Sequence, residues 1–388
     1  MRLWNTETRR QEQLEGGEAP FGVYVCGITP YDTTHLGHAF TYIAFDVLIR
    51  ALRARGRQVR YVQNVTDVDD DIMKRARELG TSWDRLAAKE TALYEADMAA
   101  LNVGPPDVFP RASQTIGRII EMVGRLVAQG NAYVKEGNAY FRVSSVTDYG
   151  RLSRLPRDEM VHLSAQRGAD PDDRRKQDPL DFLLWQRSAQ NEPSWDSPWG
   201  DGRPGWHIEC SAMALEHLGS HVDLHGGGAD LIYPHHESEI AQSESANGVR
   251  PFARIWMHTG MLRYQGEKMS KSLRNLVLVR DLLTRFDADS IRVMLLRHHY
   301  REPWEYTEAE TTAAADWVAR MRSRASHIQA SDGPGPAATV LRALEDDLDT
   351  AGALATLGQM IESGDPGWRG AADVLGLRLG GDPSIGAK

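Results

Sequence analysis

The strongest constraint on the fold is a regular alternation of strand-like and helix-like segments near the N-terminus. Two short apolar segments, FGVYVCG and QVRYVQNV, each precede a segment with helical spacing of apolar residues, and these helices end at Gly56 and Gly80. Strands separated by helices predict parallel pairing with right-handed crossovers. Since ligands bind such sheets at the carboxyl ends of the strands, the residues that follow the two strands are the first candidates for a site.

The rest of the chain predicts an interrupted sheet and a helical end. Residues 116–203 contain a helix, a hairpin (AYVKEGNAYFRV) and a polar loop, so we interpret them as a connective insertion. The sheet pattern resumes over 204–272, and 273–388 is predicted to be helical. We therefore expect an α/β fold whose parallel-sheet catalytic domain is split into residues 1–115 and 204–272.

Composition restricts the location and the partners. Two cysteines among 388 residues cannot build a disulfide framework, and no apolar run reaches the length of a membrane span or a signal-peptide core. We expect a cytoplasmic protein with no membrane partner. The net charge of −9 argues against broad nucleic-acid binding without excluding a local basic groove. A dinucleotide oxidoreductase is disfavoured because no Gly-x-Gly-x-x-Gly follows the first strand.

Both cysteines belong to a candidate metal site. Cys26 and Cys210 lie near the sheet edge in this reading, and Pro234 suits the first turn of a helix that would place His235 and Glu239 four residues apart on one face. Two thiolates, an imidazole and a carboxylate make a plausible tetrahedral zinc set. The alternative is a pair of buried free cysteines beside histidines that cap a helix.

Three further segments suggest a nucleotide. THLGH follows a strand and opens a helix, where backbone N–H groups favour phosphate, and its histidines could donate to phosphate oxygens. HGGGADL is a glycine-rich turn that lets the backbone approach a base or ribose, and GEKMSKS is a polar loop whose lysines could reach a triphosphate. Each is weak alone, because helix starts, tight turns and solvated lysines are common. Their combination, in this order, favours ATP.

The combination HLGH and KMSKS resembles the two signature motifs of class I aminoacyl-tRNA synthetases. The segments YVCGITPYD, YVQNVTDVDDDI, GRPGWHIECSAM and DLHGGGADLIYPHHESEIAQSE resemble cysteinyl-tRNA synthetases, and the likeness extends from Met1 to about Glu310. It implies a split Rossmann-like catalytic domain followed by a helical region that contacts the tRNA stem. It also implies a ligase that activates L-cysteine with ATP and Mg²⁺, giving cysteinyl-adenylate.

The resemblance also assigns roles to residues. It implies one Zn²⁺ per chain, bound by Cys26, Cys210, His235 and Glu239, the four residues that spacing had suggested. The other implied site residues are His35, His38, Lys268 and Lys271 for catalysis and ATP binding, Gly227 and Asp230 on the adenosine side of the ATP pocket, and Thr66 and Trp206 around the cysteine substrate.

The family resemblance leaves two possible acceptors for the activated cysteine. Only 116 residues follow the lysine loop (388 minus 272), fewer than in a typical cysteinyl-tRNA synthetase with its anticodon-binding domain. CGITPYDTTHLGH, NLVLV and QRGADPDD resemble the mycothiol-pathway ligase, which joins cysteine to the amine of an amino-sugar inositol. IECSAM, DLHGGG, GEKMSKSL and especially HHESE, which keeps Glu239, resemble the tRNA enzyme. On this balance the sequence favours tRNA-Cys as acceptor, with the amino-sugar as the alternative.

Two remaining expectations concern activity and assembly. A non-catalytic paralogue that senses zinc or cysteine would be expected to lose one of the signature motifs, and both are intact. We expect a monomer rather than an oligomer.

Overall fold

The chain alternates strands and helices through its first half and becomes helical toward its end, in a computed structural model that describes residues 1–14, 20–31, 34–269, 275–329 and 337–380. The strands are β1 (Arg2–Asn5), β2 (Arg10–Gln13), β3 (Phe21–Ile28), β4 (Val59–Val65), β5 (Ala132–Lys135), β6 (Asn138–Phe141), β7 (Phe182–Arg187), β8 (Gly202–Pro204), β9 (Val222–Gly228), β10 (Ala253–Thr259), β11 (Leu262–Tyr264), β12 (Glu267–Lys268) and β13 (Trp304–Glu305). The helices are α1 (Leu36–Ala54), α2 (Asp70–Leu79), α3 (Trp83–Ala100), α4 (Ile116–Ala128), α5 (Arg157–Gln166), α6 (Trp206–Leu218), α7 (Glu237–Asn247), α8 (Val279–Leu283), α9 (Ala288–Leu296), α10 (Glu308–Ala325), α11 (Ala337–Leu344), α12 (Thr350–Ser363) and α13 (Trp368–Val374).

The centre of the molecule is a four-stranded sheet in the order β10-β9-β3-β4, and every pairing in it is parallel. This confirms the predicted α/β fold. The glycines predicted to stop the first two helices do so with positive φ, +79° at Gly56 and +64° at Gly80. Because the strands run in one direction, the ends of β3, β4, β9 and β10 meet at one edge, where α1 begins.

The segment between the two halves of the sheet forms its own antiparallel sheet in the order β5-β6-β7-β8. The predicted hairpin is present, and its two-residue turn, Glu136 and Gly137, has φ of +54° and +79°, as a tight hairpin with right-handed strand twist requires. We keep the predicted division of the chain as a proposal, since β5 to β8 lie between residues 132 and 204.

The C-terminal helices pack against the half of α1 that lies away from the sheet edge. Arg292 of α9 is 1% exposed; it pairs with the buried Asp46 of α1 and donates to the carbonyl oxygen of Leu375 at 2.6 Å. Asp46 lies ten residues, or about 15 Å, along α1 from its first residue. These helices are therefore fixed to the catalytic core at a distance from the strand ends.

Candidate functional site

Four buried side chains meet at the carboxyl edge of the central sheet. Cys26 lies near the end of β3, Cys210 in the second turn of α6, His235 just before α7 and Glu239 in its first turn. One ligand atom from each lies within 4.8 Å of the other three. The structure thus brings together all four residues of the predicted zinc set, which we call the metal set.

The separations within the metal set fit a tetrahedral ion. Glu239 Oε1 lies 3.3 Å from Cys26 Sγ and 3.1 Å from His235 Nε2. With zinc–ligand bonds of about 2.0 to 2.3 Å, a tetrahedron would separate such atoms by about 3.3 to 3.5 Å. Although Glu239 Oε1 lies 3.1 Å away, the buried His235 Nε2 makes no hydrogen bond of suitable angle in the described part of the chain, and a metal ion would satisfy it.

The helical turn that carries His235 begins as predicted. Tyr233 has extended backbone angles (φ −137°, ψ 134°), and Pro234 is the first residue of the helical turn that follows it and continues into α7 at Glu237. His235 and Glu239 therefore face each other across one turn. The position of Pro234 and the four-residue spacing were both informative.

The lowered pKa values of two members of the metal set favour the binding of a cation. Burial opposes ionisation of Cys210, but its hydrogen bond with Cys26 and the charge of His235 outweigh burial and lower its pKa to about 6. Burial likewise opposes the charge on Glu239, yet His225 and His235 lower that pKa to about 2. The pKa of Cys26 is instead raised, by burial and by Cys210. A metal would replace the thiol and imidazolium protons that remain, so binding would release protons.

A chain of histidines that the sequence reasoning missed lies behind the metal set. Cys26, His225 and His236 form a second group with ligand atoms within 4.8 Å. His236 Nε2 lies 3.3 Å from Cys26 Sγ, its Nδ1 lies 2.7 Å from His258 Nε2, and His258 Nδ1 lies 2.8 Å from Thr6 Oγ1. Burial lowers the pKa of His258 to about 3 and that of His236 well below its usual value. Little in the sequence indicated this chain of histidines: His258 stands near the end of β10, but His225 lies within β9 and His236 directly before α7.

Of the two residues predicted to surround the substrate cysteine, Trp206 contacts a member of the metal set, and Thr66 bonds the end of β3, two residues after Cys26. The indole of Trp206 stacks on the His235 ring, with centroids 4.2 Å apart and an interplanar angle of 27°. Thr66 Oγ1 donates to the carbonyl oxygen of Ile28 at 3.2 Å and hydrogen-bonds Thr29 Oγ1 at 2.8 Å. Thr29 was not among the predicted residues. The contacts therefore supply one aromatic ring on His235 and two hydroxyl groups at the end of β3.

The histidine turn opens α1 as predicted. His35 Nδ1 caps the helix by accepting from the N–H of Gly37 at 3.1 Å, and the rings of His35 and His38 stack with centroids 3.8 Å apart. The N–H of Leu36 donates to the carbonyl oxygen of Val277 at 2.8 Å. This bond joins the histidine turn to the chain that follows the lysine loop. Of the predicted lysines, Lys268 belongs to β12, and Lys271 lies outside the described residues.

The glycine-rich turn is required by close packing at the end of β9. A Cβ at Gly226 would lie 2.2 Å from the carbonyl oxygen of Met257, and one at Gly227 would lie 2.8 Å from Leu231 Cδ1. Asp230, three residues after Gly227, is partly exposed and faces the insertion. The turn therefore brings bare backbone and a carboxylate to the same edge as the histidine turn.

With this geometry described, comparison with known proteins identifies relatives across the whole chain. Residues 12–316 match the family described as tRNA synthetases class I (C) catalytic domain. The chain is 48% identical to an L-cysteine:1D-myo-inositol 2-amino-2-deoxy-alpha-D-glucopyranoside ligase of Acidothermus cellulolyticus, covering 92% of this chain and 88% of that protein. It is 41% identical to a cysteine–tRNA ligase of Dehalococcoides mccartyi, covering 98% and 87%.

Solved structures agree on the fold. Mycobacterium tuberculosis methionyl-tRNA synthetase in complex with methionyl-adenylate superposes with a TM-score of 0.65 at 19% identity, covering 92% of this chain and 88% of that one. At this identity the likeness establishes the class I synthetase fold alone. Among the described residues, no helix has the length and apolar character needed to cross a membrane.

Proposed function

Because this chain belongs to the class I (C) family of tRNA synthetase catalytic domains, whose relatives here are cysteine ligases, we propose that it activates L-cysteine with ATP and joins it to the amine of an amino-sugar inositol. The observation that carries the cysteine assignment is the buried metal set beside the histidine turn. The acceptor follows from the relatives: seven amino-sugar inositol ligases are 44 to 48% identical to this chain, and the cysteine–tRNA ligase is 41% identical. The relatives thus favour the acceptor that the sequence motifs had ranked second.

The packing of the C-terminal helices supports the same choice. A tRNA-binding surface needs cations that are available to phosphates. In the basic cluster of α10, Arg322 instead pairs with Asp287 at 2.9 Å and Asp289 at 2.7 Å. One of the three arginines at 320, 322 and 324 is therefore neutralised within the protein.

Aminoacylation of tRNA-Cys is the second candidate. Glu239 lies within the metal set, as the tRNA-enzyme resemblance of HHESE implies, and the cysteine–tRNA ligase relative covers nearly the whole chain. Both candidates share the first step and differ only in the nucleophile of the second.

We propose that the metal set holds one zinc ion, which when bound would supply a soft Lewis acid that favours the thiolate of cysteine over the hydroxyl of serine. The protein fixes this selectivity by burying all four ligands and by placing Trp206 against His235. The hydroxyls of Thr29 and Thr66 and the carbonyl oxygen of Ile28 offer hydrogen-bond acceptors for the substrate ammonium.

The first step is attack of the cysteine carboxylate on the α-phosphate of ATP, which gives cysteinyl-adenylate and pyrophosphate. His35 and His38 at the start of α1 would donate to phosphate oxygens, and Lys268 and Lys271 would neutralise charge together with Mg²⁺. Gly227 and Asp230 would contact the adenosine. In the second step the acceptor amine attacks the carbonyl carbon, the amide forms, AMP leaves and the amine loses one proton.

The test offers purified protein with ATP, Mg²⁺ and labelled cysteine to glucosaminyl-inositol in one tube and to tRNA-Cys in another. Label in an amide on the sugar, with uncharged tRNA, is the expected result. Label on tRNA with none on the sugar would overturn the proposed acceptor and establish the second candidate. Formation of neither product, without cysteine-dependent pyrophosphate exchange, would contradict cysteine activation itself.

A further inference from the structure

The insertion is anchored to the segment that carries the metal ligands. The carboxylate of Glu237 accepts hydrogen bonds from the backbone N–H groups of Leu152 at 3.1 Å and Ser153 at 2.8 Å. Ser164 of α5 hydrogen-bonds the hydroxyl of Tyr233 at 2.9 Å, and both groups are buried. The end of α5 is therefore held in a fixed position relative to the metal set.

One cation at that end of α5 faces the nucleotide side of the site. Arg167 follows the last residue of α5, and its Nη1 lies 3.7 Å from Asp230 Oδ2. Among residues that the structure describes, Asp230 supplies the only carboxylate within 4 Å of this guanidinium. The next residue, Gly168, has a φ of +91°, so the chain changes direction directly after Arg167.

The guanidinium of Arg167 has N–H groups that can donate hydrogen bonds to a ligand. A separation of 3.7 Å exceeds the range of a direct hydrogen bond, so the N–H groups of the guanidinium are not used up by Asp230. The side chain of Arg167 is 35% exposed, so a molecule entering from solvent can reach its guanidinium. Guanidinium presents five N–H donors in a planar fork and no acceptor, which suits a ligand rich in hydroxyl oxygens.

We propose that Arg167 is a specificity-determining residue for the acceptor, donating hydrogen bonds to hydroxyl groups of its inositol ring. This inference rests on the proposed function and extends it to Arg167, which lies in the QRGADPDD segment but to which the family resemblance assigned no role. The acceptor amine must reach the adenylate carbonyl at the strand ends, so the inositol lies further out, and Arg167 is the cation that the anchored insertion places beside Asp230. Arg167 contributes to the second step and only indirectly, through Asp230, to the first.

The test compares R167Q with R157Q. Arg157 lies at the other end of α5, is 53% exposed and pairs with both oxygens of Asp178 at 2.7 Å, so its substitution controls for loss of a surface arginine on the same helix. For each protein, kcat/KM is measured with glucosaminyl-inositol and with glucosamine, which lacks the inositol, and cysteine-dependent ATP–pyrophosphate exchange is measured without acceptor.

Loss of a charge-assisted hydrogen bond predicts that R167Q lowers kcat/KM for glucosaminyl-inositol by about tenfold or more. The loss for glucosamine and for exchange is expected to stay under about threefold, and R157Q to match the unsubstituted enzyme. An equal loss with both acceptors, a loss confined to exchange, or no change would overturn the role of Arg167. If the unsubstituted enzyme makes no amide from either amine, the proposed function fails, and the inference fails with it.

Discussion

Substitution of Glu239 by glutamine tests whether this carboxylate belongs to the metal set or only stands beside it. Glutamine has nearly the same shape, so the change removes a charge and leaves packing intact. Glu239 Oε1 lies within 3.3 Å of a thiol sulfur and 3.1 Å of His235 Nε2, and its Oε2 lies 3.0 Å from His225 Nε2. If Glu239 is a ligand, E239Q exchanges an anionic oxygen for a neutral amide at the ion.

The size of the effect follows from these contacts. Residues that only orient metal ligands change affinity by about 10- to 100-fold, and loss of an anionic ligand should reach at least the upper end of that range. Relief of repulsion between Glu239 and the Cys210 thiolate, which the pKa of Cys210 records, partly offsets the loss. We therefore expect zinc to bind E239Q about 100-fold more weakly, or about 2.7 kcal/mol.

The assay is competition for zinc with a chromophoric chelator at fixed pH. The matched control is E237Q, two residues away, where the buried carboxylate bonds the backbone of Leu152 and Ser153 rather than the metal set. E237Q is expected to lower stability and leave zinc affinity within about threefold. Zinc affinity of E239Q within threefold of the unsubstituted protein would refute the assignment of Glu239 as a ligand.

Three further predictions concern the core, the pH dependence and the substrate pocket. Arg292→Met removes the buried one of the two arginines that pair with Asp46, which keeps Arg50 at 2.8 Å, and it removes the donor to the carbonyl oxygen of Leu375, so urea unfolding should show a loss of about 2 to 4 kcal/mol; a loss under 1 kcal/mol would contradict the role of Arg292 in fixing the C-terminal helices to α1. Burial raises the pKa of Asp69 to about 6 from 3.8, so in the folded protein its proton is held more tightly, and stability falls as pH rises from 4 to 6. Asp69→Asn keeps a side-chain oxygen to cap the N–H of Asp71 and should flatten this slope, stabilising the protein at pH 7 by about 1 to 3 kcal/mol; an unchanged slope between pH 4 and 6 would contradict it. Trp206→Ala removes the ring stacked on His235 and should raise KM for cysteine in pyrophosphate exchange by about tenfold or more, whereas an unchanged KM would remove Trp206 from the pocket.

The parallel sheet could be predicted because its signals are local. FGVYVCG and QVRYVQNV contain β3 and β4, and a glycine ends the helix that follows each of them. The metal set was also accessible, since His235 and Glu239 carry their spacing in the sequence and strand ends bring Cys26 to them. Both predictions depend on the periodicity of residues within one segment or on the fact that parallel strands end at the same edge of a sheet.

Contacts between distant segments could not be predicted. Nothing in MHTG indicates that His258 lies 2.7 Å from His236, or that its other nitrogen meets Thr6. The same holds for Arg167, which follows α5 of the insertion, and Asp230, which follows β9: they are distant in sequence and meet only in the folded chain. The relatives favour the acceptor that the motifs had placed second, for a related reason: motifs around the cysteine and ATP sites serve a step that both kinds of ligase share, so they carry little information about the second substrate.

The account as a whole depends on recognition of cysteine by the metal set, and pyrophosphate exchange with cysteine and with serine measures that recognition before any acceptor is involved. An apolar pocket could separate these near-isosteres by roughly 100-fold at most. With zinc bound, we predict that cysteine exceeds serine in kcat/KM by about 10⁴-fold or more and that stripping the metal with a chelator abolishes cysteine-dependent exchange. Exchange with serine within 100-fold of cysteine, or full exchange with cysteine after the metal is removed, would contradict the account.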